Sequence, residues 1–209
     1  TKTRPHIRTG NFADLKVMKA TMKTDEEYFP LLPKREYPLP KLEPLDIKFK
    51  DAVTQGMTEL GDEGAIFIGY SIIPGDAMGT LKDVSQDQKI ETPVAENLMV
   101  GLAIGMSFEG FKPVVYFERH DFMLVAADAI GNHVDKIERI SHGEFKVPVV
   151  FKTVIDDGGL FYSGPTHSQD FTNVFREAVS FPVLDPTNGE QVLTAFKEAR
   201  TSGRPLMVI

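Results

Sequence analysis

Beyond Asp46 the chain alternates short, wholly apolar runs with longer segments of helical period, and this limits it to few architectures. The apolar runs are Ala65 to Tyr70, Val114 to Phe117, Val147 to Phe151, Pro182 to Leu184 and Pro205 to Ile209. A strand that is apolar on both sides must be covered on both faces, which is the mark of a parallel sheet. The intervening segments read as helices at 47–60, 93–108, 121–141, 169–178 and 187–201, with a Gly-rich loop at 155–168. In the first, Ile47, Phe49, Ala52, Val53, Met57 and Leu60 share one apolar stripe. In the third, Phe122, Ala126, Ala129, Ile130, Val134 and Ile137 do the same. The expected fold is α/β: a three-layer sandwich with a mainly parallel sheet and helices on both faces. Ligands of such sheets bind beyond the carboxyl ends of the strands. Those ends are the 70–75, 117–121, 153–168 and 185–188 segments.

Residues 1–45 differ from the rest. Six of the 14 prolines fall there, with nine Lys or Arg against six Asp or Glu. No helical or strand period persists, so the segment reads as a Pro-rich extended arm, with a disordered leader as the plainer alternative. Residues 46–209 form the domain. The chain's net charge of −7 and the lack of a basic patch argue against nucleic acid as the main partner. With no cysteine, neither a disulfide framework nor a thiolate metal site can form, which suits a cytoplasmic protein. No apolar run reaches membrane-span length. The opening Thr1 and the closing apolar strand suggest a sequence trimmed at both ends.

Three residues stand out against this frame. Glu96 follows Thr92, a good N-cap, and Pro93, which suits a first helical position, so it should close the first turn. The stretch after it, Leu98 to Met106, is almost wholly apolar, and such a helix is expected to be buried. Gly101 and Gly105 lie four apart, a spacing that allows close approach of another backbone. A carboxylate heading this helix either complements the helix dipole or has a specific partner, because an unpaired buried charge is costly. Phe122 opens the next helix and reads as core or as a ring for a ligand. His167 lies in Gly164-Pro165-Thr166-His167-Ser168-Gln169, where a lone histidine is either solvated or functional. The charged turn Glu118-Arg119-His120-Asp121 is either a solvated strand-to-helix turn capped by Asp121 or a wall that recognises a polar substrate.

The run TPVAENLMVGLAIGMSFEGFKPVVYF resembles the beta subunits of thiamine-diphosphate-dependent 2-oxo-acid dehydrogenases and, beyond them, transketolase and deoxyxylulose-phosphate synthase. The resemblance covers residues 46–209 and implies the pyrimidine-binding domain of a thiamine-diphosphate-binding fold. By that resemblance Glu96 would hydrogen-bond the aminopyrimidine ring nitrogen and favour the imino tautomer. The imino nitrogen then deprotonates the thiazolium carbon to give the ylid nucleophile. An aromatic residue 26 positions after the glutamate would stack on the pyrimidine ring, and Phe122 has that spacing. By the same resemblance His167 would face the reacting centre, with Ser168 and Gln169 as weaker substrate contacts; Glu118 and His120 are weak substrate contacts only on the polar-wall reading of the charged turn. GPTH resembles the transketolase side of the family, while HSQ resembles the dehydrogenase side.

The sequence also departs from the family. Gly69-Tyr70-Ser71 stands where the beta subunits usually carry acidic residues. Glu118 and Arg119 stand where they carry small or apolar ones. The Gly-Asp-Gly motif that anchors diphosphate and Mg²⁺ in this superfamily is absent, and Gly61-Asp62-Glu63-Gly64, Gly75-Asp76-Ala77 and Asp156-Asp157-Gly158 read as turns. The expectation is a subunit whose thiamine-diphosphate site is completed by a diphosphate-binding partner that holds Mg²⁺, in a dimer or heterotetramer. The substrate would be an oxo acid or a sugar. The dehydrogenase type leads, with a split transketolase-like ketol transferase as the alternative. A non-catalytic assembly or regulatory subunit and a generic nucleotide-binding domain are the remaining readings.

Overall fold

The computed structural model describes residues 47–155 and 164–209, all within the compact unit Arg35–Ile209. The arm read at 1–45 and the middle of the Gly-rich loop, with Asp156-Asp157-Gly158, lie outside the described residues.

Six strands form one all-parallel sheet: β1 Ala65–Gly69, β2 Lys89–Glu91, β3 Lys112–Tyr116, β4 Val150–Lys152, β5 Val183–Leu184 and β6 Leu206–Val208. Their spatial order is β2-β1-β3-β4-β6-β5. Register places Phe67 beside Val114, Val115 beside Phe151, and Phe151 beside Met207. Because side chains alternate across a strand, the sheet builds two separate cores. Ile68, Val115, Phe117, Phe151 and Met207 face one side, and Phe67, Val114, Tyr116, Val150, Leu206 and Val208 face the other. The expected sandwich with a parallel sheet is therefore present.

The second core is covered by α1 Phe49–Asp62 and α5 Gly189–Thr201. Both are amphipathic, and they pack closely. A Cβ built on Gly56 would lie 2.3 Å from the Phe196 ring, and one on Gly189 would lie 2.4 Å from the Ile47 carbonyl oxygen. Asn188 caps α5 by accepting the Gln191 N–H at 2.9 Å.

The first core is covered less regularly. It lies under α2 Glu96–Phe108, a 3₁₀ segment His120–Ala126, a π turn Ala129–Val134, the short α3 Ile137–Ile140 and α4 Thr172–Ala178. The single helix expected over 121–141 is thus three pieces of differing pitch. Two further expectations fail for local reasons. Thr92 does not cap α2: its N–H bonds the Gly69 carbonyl at 2.7 Å, which keeps it with the sheet, and Ala95 takes the N-cap place. Asp121 does not cap the segment after β3, because Arg119 holds that position.

The strand β2 was not legible as a strand because two of its three residues are charged. Lys89 is buried and pairs with Asp76 at 2.8 Å. The Glu91 carboxylate accepts the N–H groups of Ser71, Ile72 and Ile73 at 2.6, 3.0 and 2.9 Å, so it organises the loop after β1. Asp76, Ala77 and Met78 all have positive φ. The Gly75-Asp76-Ala77 sequence is therefore a left-handed turn locked by an ion pair, in keeping with its reading as a turn.

Candidate functional site

At the carboxyl edge of the sheet, parallel pairing of β1 with β2 sets Gly69 beside Glu91. The chain leaves both strands on the same side, so Tyr70 and Glu96 emerge together. Glu96 is the first residue of α2 and is 5 % exposed. Tyr70 Oη donates to Glu96 Oε1 at 3.2 Å. Among the described residues no donor reaches Glu96 Oε2. Burial, then the Glu96 charge and its hydrogen bond, push the Tyr70 hydroxyl above the usual phenol range and keep it a donor.

Tyr70 connects the residues singled out from sequence. Its ring centroid lies 6.4 Å from that of Phe122. The Phe122 ring in turn meets His167 edge-on at 5.2 Å. Glu96, Tyr70, Phe122 and His167 therefore form one continuous cluster, although 71 positions separate Glu96 from His167. Phe122 is half-buried, as is His167. The histidine Nδ1 lies 2.9 Å from Thr166 Oγ1, and its backbone N–H bonds the Gly164 carbonyl at 3.1 Å.

The weaker candidates divide. Ser168 Oγ donates to the Gly164 carbonyl at 3.1 Å. Gln169 is committed to Asp121, whose Oδ1 accepts from the Gln169 backbone N–H at 3.2 Å and from Nε2 at 2.9 Å. His120 was expected on a substrate wall, but its side chain is fully buried. It stacks on Phe175 at 5.6 Å and meets Phe171 edge-on at 6.1 Å. Its Nδ1 accepts the Phe171 N–H at 3.4 Å. Burial lowers its pKa, so the ring is neutral at pH 7. His120 and Asp121 thus clamp the end of the His167 loop to the turn after β3. Glu118 and Arg119 are half-buried, and Arg119 Nη1 donates to the Glu118 carbonyl at 3.1 Å.

Among the described residues, buried side-chain atoms without hydrogen-bond partners concentrate at this edge: Thr92 Oγ1, Arg119 Nε, His120 Nε2 and Asp121 Oδ2. Such orphans are uncommon in a stable fold. Among the described residues, no group of three or more His, Asp or Glu side chains is placed to hold a metal ion. None of the described helices is long and apolar enough to cross a membrane.

The helix α2 buries only half its circumference. Met99, Val100, Ala103 and Ser107 face the core. Leu98 is 55 % and Phe108 47 % exposed, and nothing lies within 4 Å of a Cβ built on Gly101 or Gly105. The expectation that an all-apolar helix is buried on every side therefore fails within this chain. Val94, just before this helix, and Val125, in the 3₁₀ segment, are also exposed.

Tyr70 was missed as a site residue. Its only sequence signal was the departure from acidic residues after the first strand, and the contact with Glu96 depends on strand register.

Comparison with known proteins identifies the family and the fold. Residues 46–209 match the family model described as transketolase, pyrimidine binding domain. The chain is 27 % identical over 172 residues to the human mitochondrial pyruvate dehydrogenase E1 component subunit beta, covering 79 % of this chain and 47 % of that one. It is 30 % identical over 144 residues to the pyruvate dehydrogenase E1 component subunit beta of Rickettsia felis, covering 66 % of this chain and 42 % of that one. The chain thus spans about half the length of the curated relatives it matches. Among solved structures, a split gene transketolase described as an inactive beta4 tetramer superposes with a TM-score of 0.61 at 18 % identity, over 78 % of this chain and 50 % of that one. That likeness is one of fold. The chain belongs to the transketolase pyrimidine-binding domain family.

Proposed function

We propose that this chain supplies the pyrimidine side of a thiamine-diphosphate site whose diphosphate and Mg²⁺ are held by a partner chain or by a domain beyond these residues. The observation that carries the reading is Glu96, buried at a helix start with one oxygen held by Tyr70 and the other without a donor among the described residues. A carboxylate edge beside a half-buried aromatic ring fits an aminopyrimidine, which offers ring nitrogens on its edge and a flat face. When bound, the cofactor supplies a carbon nucleophile at its thiazolium ring.

The chain's own residues would act on that group in distinct ways. Glu96 Oε2 would share a proton with a pyrimidine ring nitrogen, in a site dry enough to strengthen the bond. Tyr70 fixes Oε1, which orients the carboxylate. Phe122 would give the pyrimidine an apolar surface. His167 has Nδ1 engaged by Thr166, which leaves Nε2 to exchange a proton with an oxygen of the substrate. The open face of α2, with Leu98, Gly101, Gly105 and Phe108, is where a partner would complete the site and exclude water.

A 2-oxo acid is the donor in the leading reading, supported by the E1 beta relatives. A ketol transfer between sugars or sugar phosphates is the second, favoured by Gly164-Pro165-Thr166-His167 and by the polar Glu118-Arg119 turn. The assembly would be a dimer of this chain or a heterotetramer with the diphosphate-binding subunit.

The test is a calorimetric titration of thiamine diphosphate with Mg²⁺ into the chain alone and into its complex with the diphosphate-binding partner. Weak binding alone and tight binding in the complex support the reading, and equally tight binding by the isolated chain overturns it. Pyruvate and a ketose phosphate offered separately to the loaded complex then decide the donor.

A further inference from the structure

The loop after β1 opens with Tyr70, whose hydroxyl holds Glu96 Oε1. Both peptide groups that flank Tyr70 are pinned, and by consecutive residues at the end of β2. The carbonyl of Gly69, in the peptide before Tyr70, accepts the Thr92 N–H at 2.7 Å. The N–H of Ser71, in the peptide after it, donates to Glu91 Oε1 at 2.6 Å. Each peptide is a rigid plane, so fixing the planes on both sides sets φ and ψ at Tyr70 and with them the direction of its side chain. That side chain touches both Glu96 and Phe122, the latter at 6.4 Å between ring centroids.

Glu91 Oε2 extends the hold by accepting the N–H groups of Ile72 and Ile73 at 3.0 and 2.9 Å. Three successive N–H groups thus converge on one carboxylate. Ser71 has a φ of 57°, a left-handed conformation that a non-glycine residue keeps only where its surroundings impose it. A glutamine could not do the same, because its amide has one acceptor oxygen and its NH₂ would oppose an N–H donor. Glu91 is exposed, and an exposed side chain ordinarily adds little to the stability of a fold. Its bonds matter for where they hold the chain. The far end of the same loop is held separately, by the Lys89–Asp76 pair at 2.8 Å.

We propose that Glu91 is a positioning residue for the Glu96 carboxylate, acting through Tyr70: it fixes the Ser71 peptide, which aims the Tyr70 hydroxyl at Glu96 Oε1. The hold on Tyr70 stands on this geometry alone, and its consequence for chemistry rests on the thiamine reading above.

Tyrosine labelled with ¹³C at Cζ tests the hold in the full chain, with the Tyr70 resonance assigned by its loss in Tyr70→Phe. Donation to a carboxylate moves this carbon downfield, the direction of ionisation. Glu91→Gln should move it upfield while Tm stays within a few degrees of the unaltered protein. Glu91→Asp keeps the charge but shortens its reach, so it should move the resonance the same way, and it decides the matter if Glu91→Gln does not fold. Asp76→Asn, which loosens the other end of the loop, should leave the resonance in place. In the cofactor-loaded complex with the diphosphate-binding partner, Glu91→Gln should slow proton exchange at the thiazolium carbon several-fold, and should add nothing to the effect of Tyr70→Phe. An unmoved Tyr70 resonance, an equal shift in Asp76→Asn, or a full effect of Glu91→Gln in the Tyr70→Phe background overturns the proposal. So does unaltered exchange in Glu91→Gln where Glu96→Gln slows it. Exchange unaltered by Glu96→Gln as well, with the Tyr70 resonance moved, is instead the failure of the thiamine reading and supports the hold on Tyr70.

Discussion

The two faces of the sheet are built to different standards. On the α1/α5 side, two regular amphipathic helices interlock through Gly56 and Gly189, and the main core side chains are fully buried. On the α2 side, the cover is a half-buried apolar helix followed by 3₁₀, π and short α segments, with unpaired polar atoms at the strand ends. The first face is organised for stability within the chain. The second leaves apolar surface and hydrogen-bonding capacity open, and it carries Glu96, Tyr70, Phe122 and His167. Local rules of propensity and capping hold where the chain stabilises itself, and they break where the ligand and partner of the proposed site would sit.

Substitutions that attack one face at a time test this contrast, here from the largest expected cost in stability to the smallest. Phe196→Ala removes a fully buried ring from the self-sufficient face and should destabilise the chain by about 3–5 kcal/mol. Chemical denaturation measures it, and a loss under 1 kcal/mol would show that the two faces do not differ as described. Tyr70→Phe removes the hydroxyl that holds Glu96 Oε1 and should cost about 1 kcal/mol. Its larger effect should be weaker thiamine-diphosphate binding by the assembled protein, and an unchanged affinity would remove Tyr70 from the site.

A pH effect follows from His120. Burial holds its folded pKa below the ordinary 6.5, so the unfolded chain takes up a proton first as pH falls. Its contribution is fully present above about pH 6.5 and declines below that value. His120→Phe should therefore flatten the fall in stability between pH 6.5 and 5, as read by Tm against pH. The same slope in both proteins would contradict the buried neutral ring. Leu98→Lys should be nearly silent, within about 0.5 kcal/mol, because Leu98 is already exposed. The same change should abolish assembly with the diphosphate-binding partner, measured by light scattering.

The architecture was legible because its determinants are local. Apolar runs such as Ala65–Gly69, and the stripe carrying Ala52, Val53, Met57 and Leu60, report burial directly. β2 was not, because Lys89 and Glu91 satisfy their charges through Asp76 and the N–H groups of residues 71–73, contacts that no period encodes. The start of α2 was misplaced because Thr92 bonds the β1 end rather than the helix. Glu96, Phe122 and His167 stand out by position in the sequence, their proposed roles come from family resemblance, and their proximity depends on strand order. Tyr70 and the tether from Asp121 to Gln169 needed the register itself.

The central claim is that Glu96 acts on a bound pyrimidine, and hydrogen–deuterium exchange at the thiazolium carbon of bound thiamine diphosphate tests it most directly. In the complex with the diphosphate-binding partner, Glu96→Gln should slow that exchange by at least about 100-fold while Tm stays within a few degrees of the unaltered protein. Exchange at the unaltered rate in a folded, cofactor-loaded Glu96→Gln complex would contradict the claim.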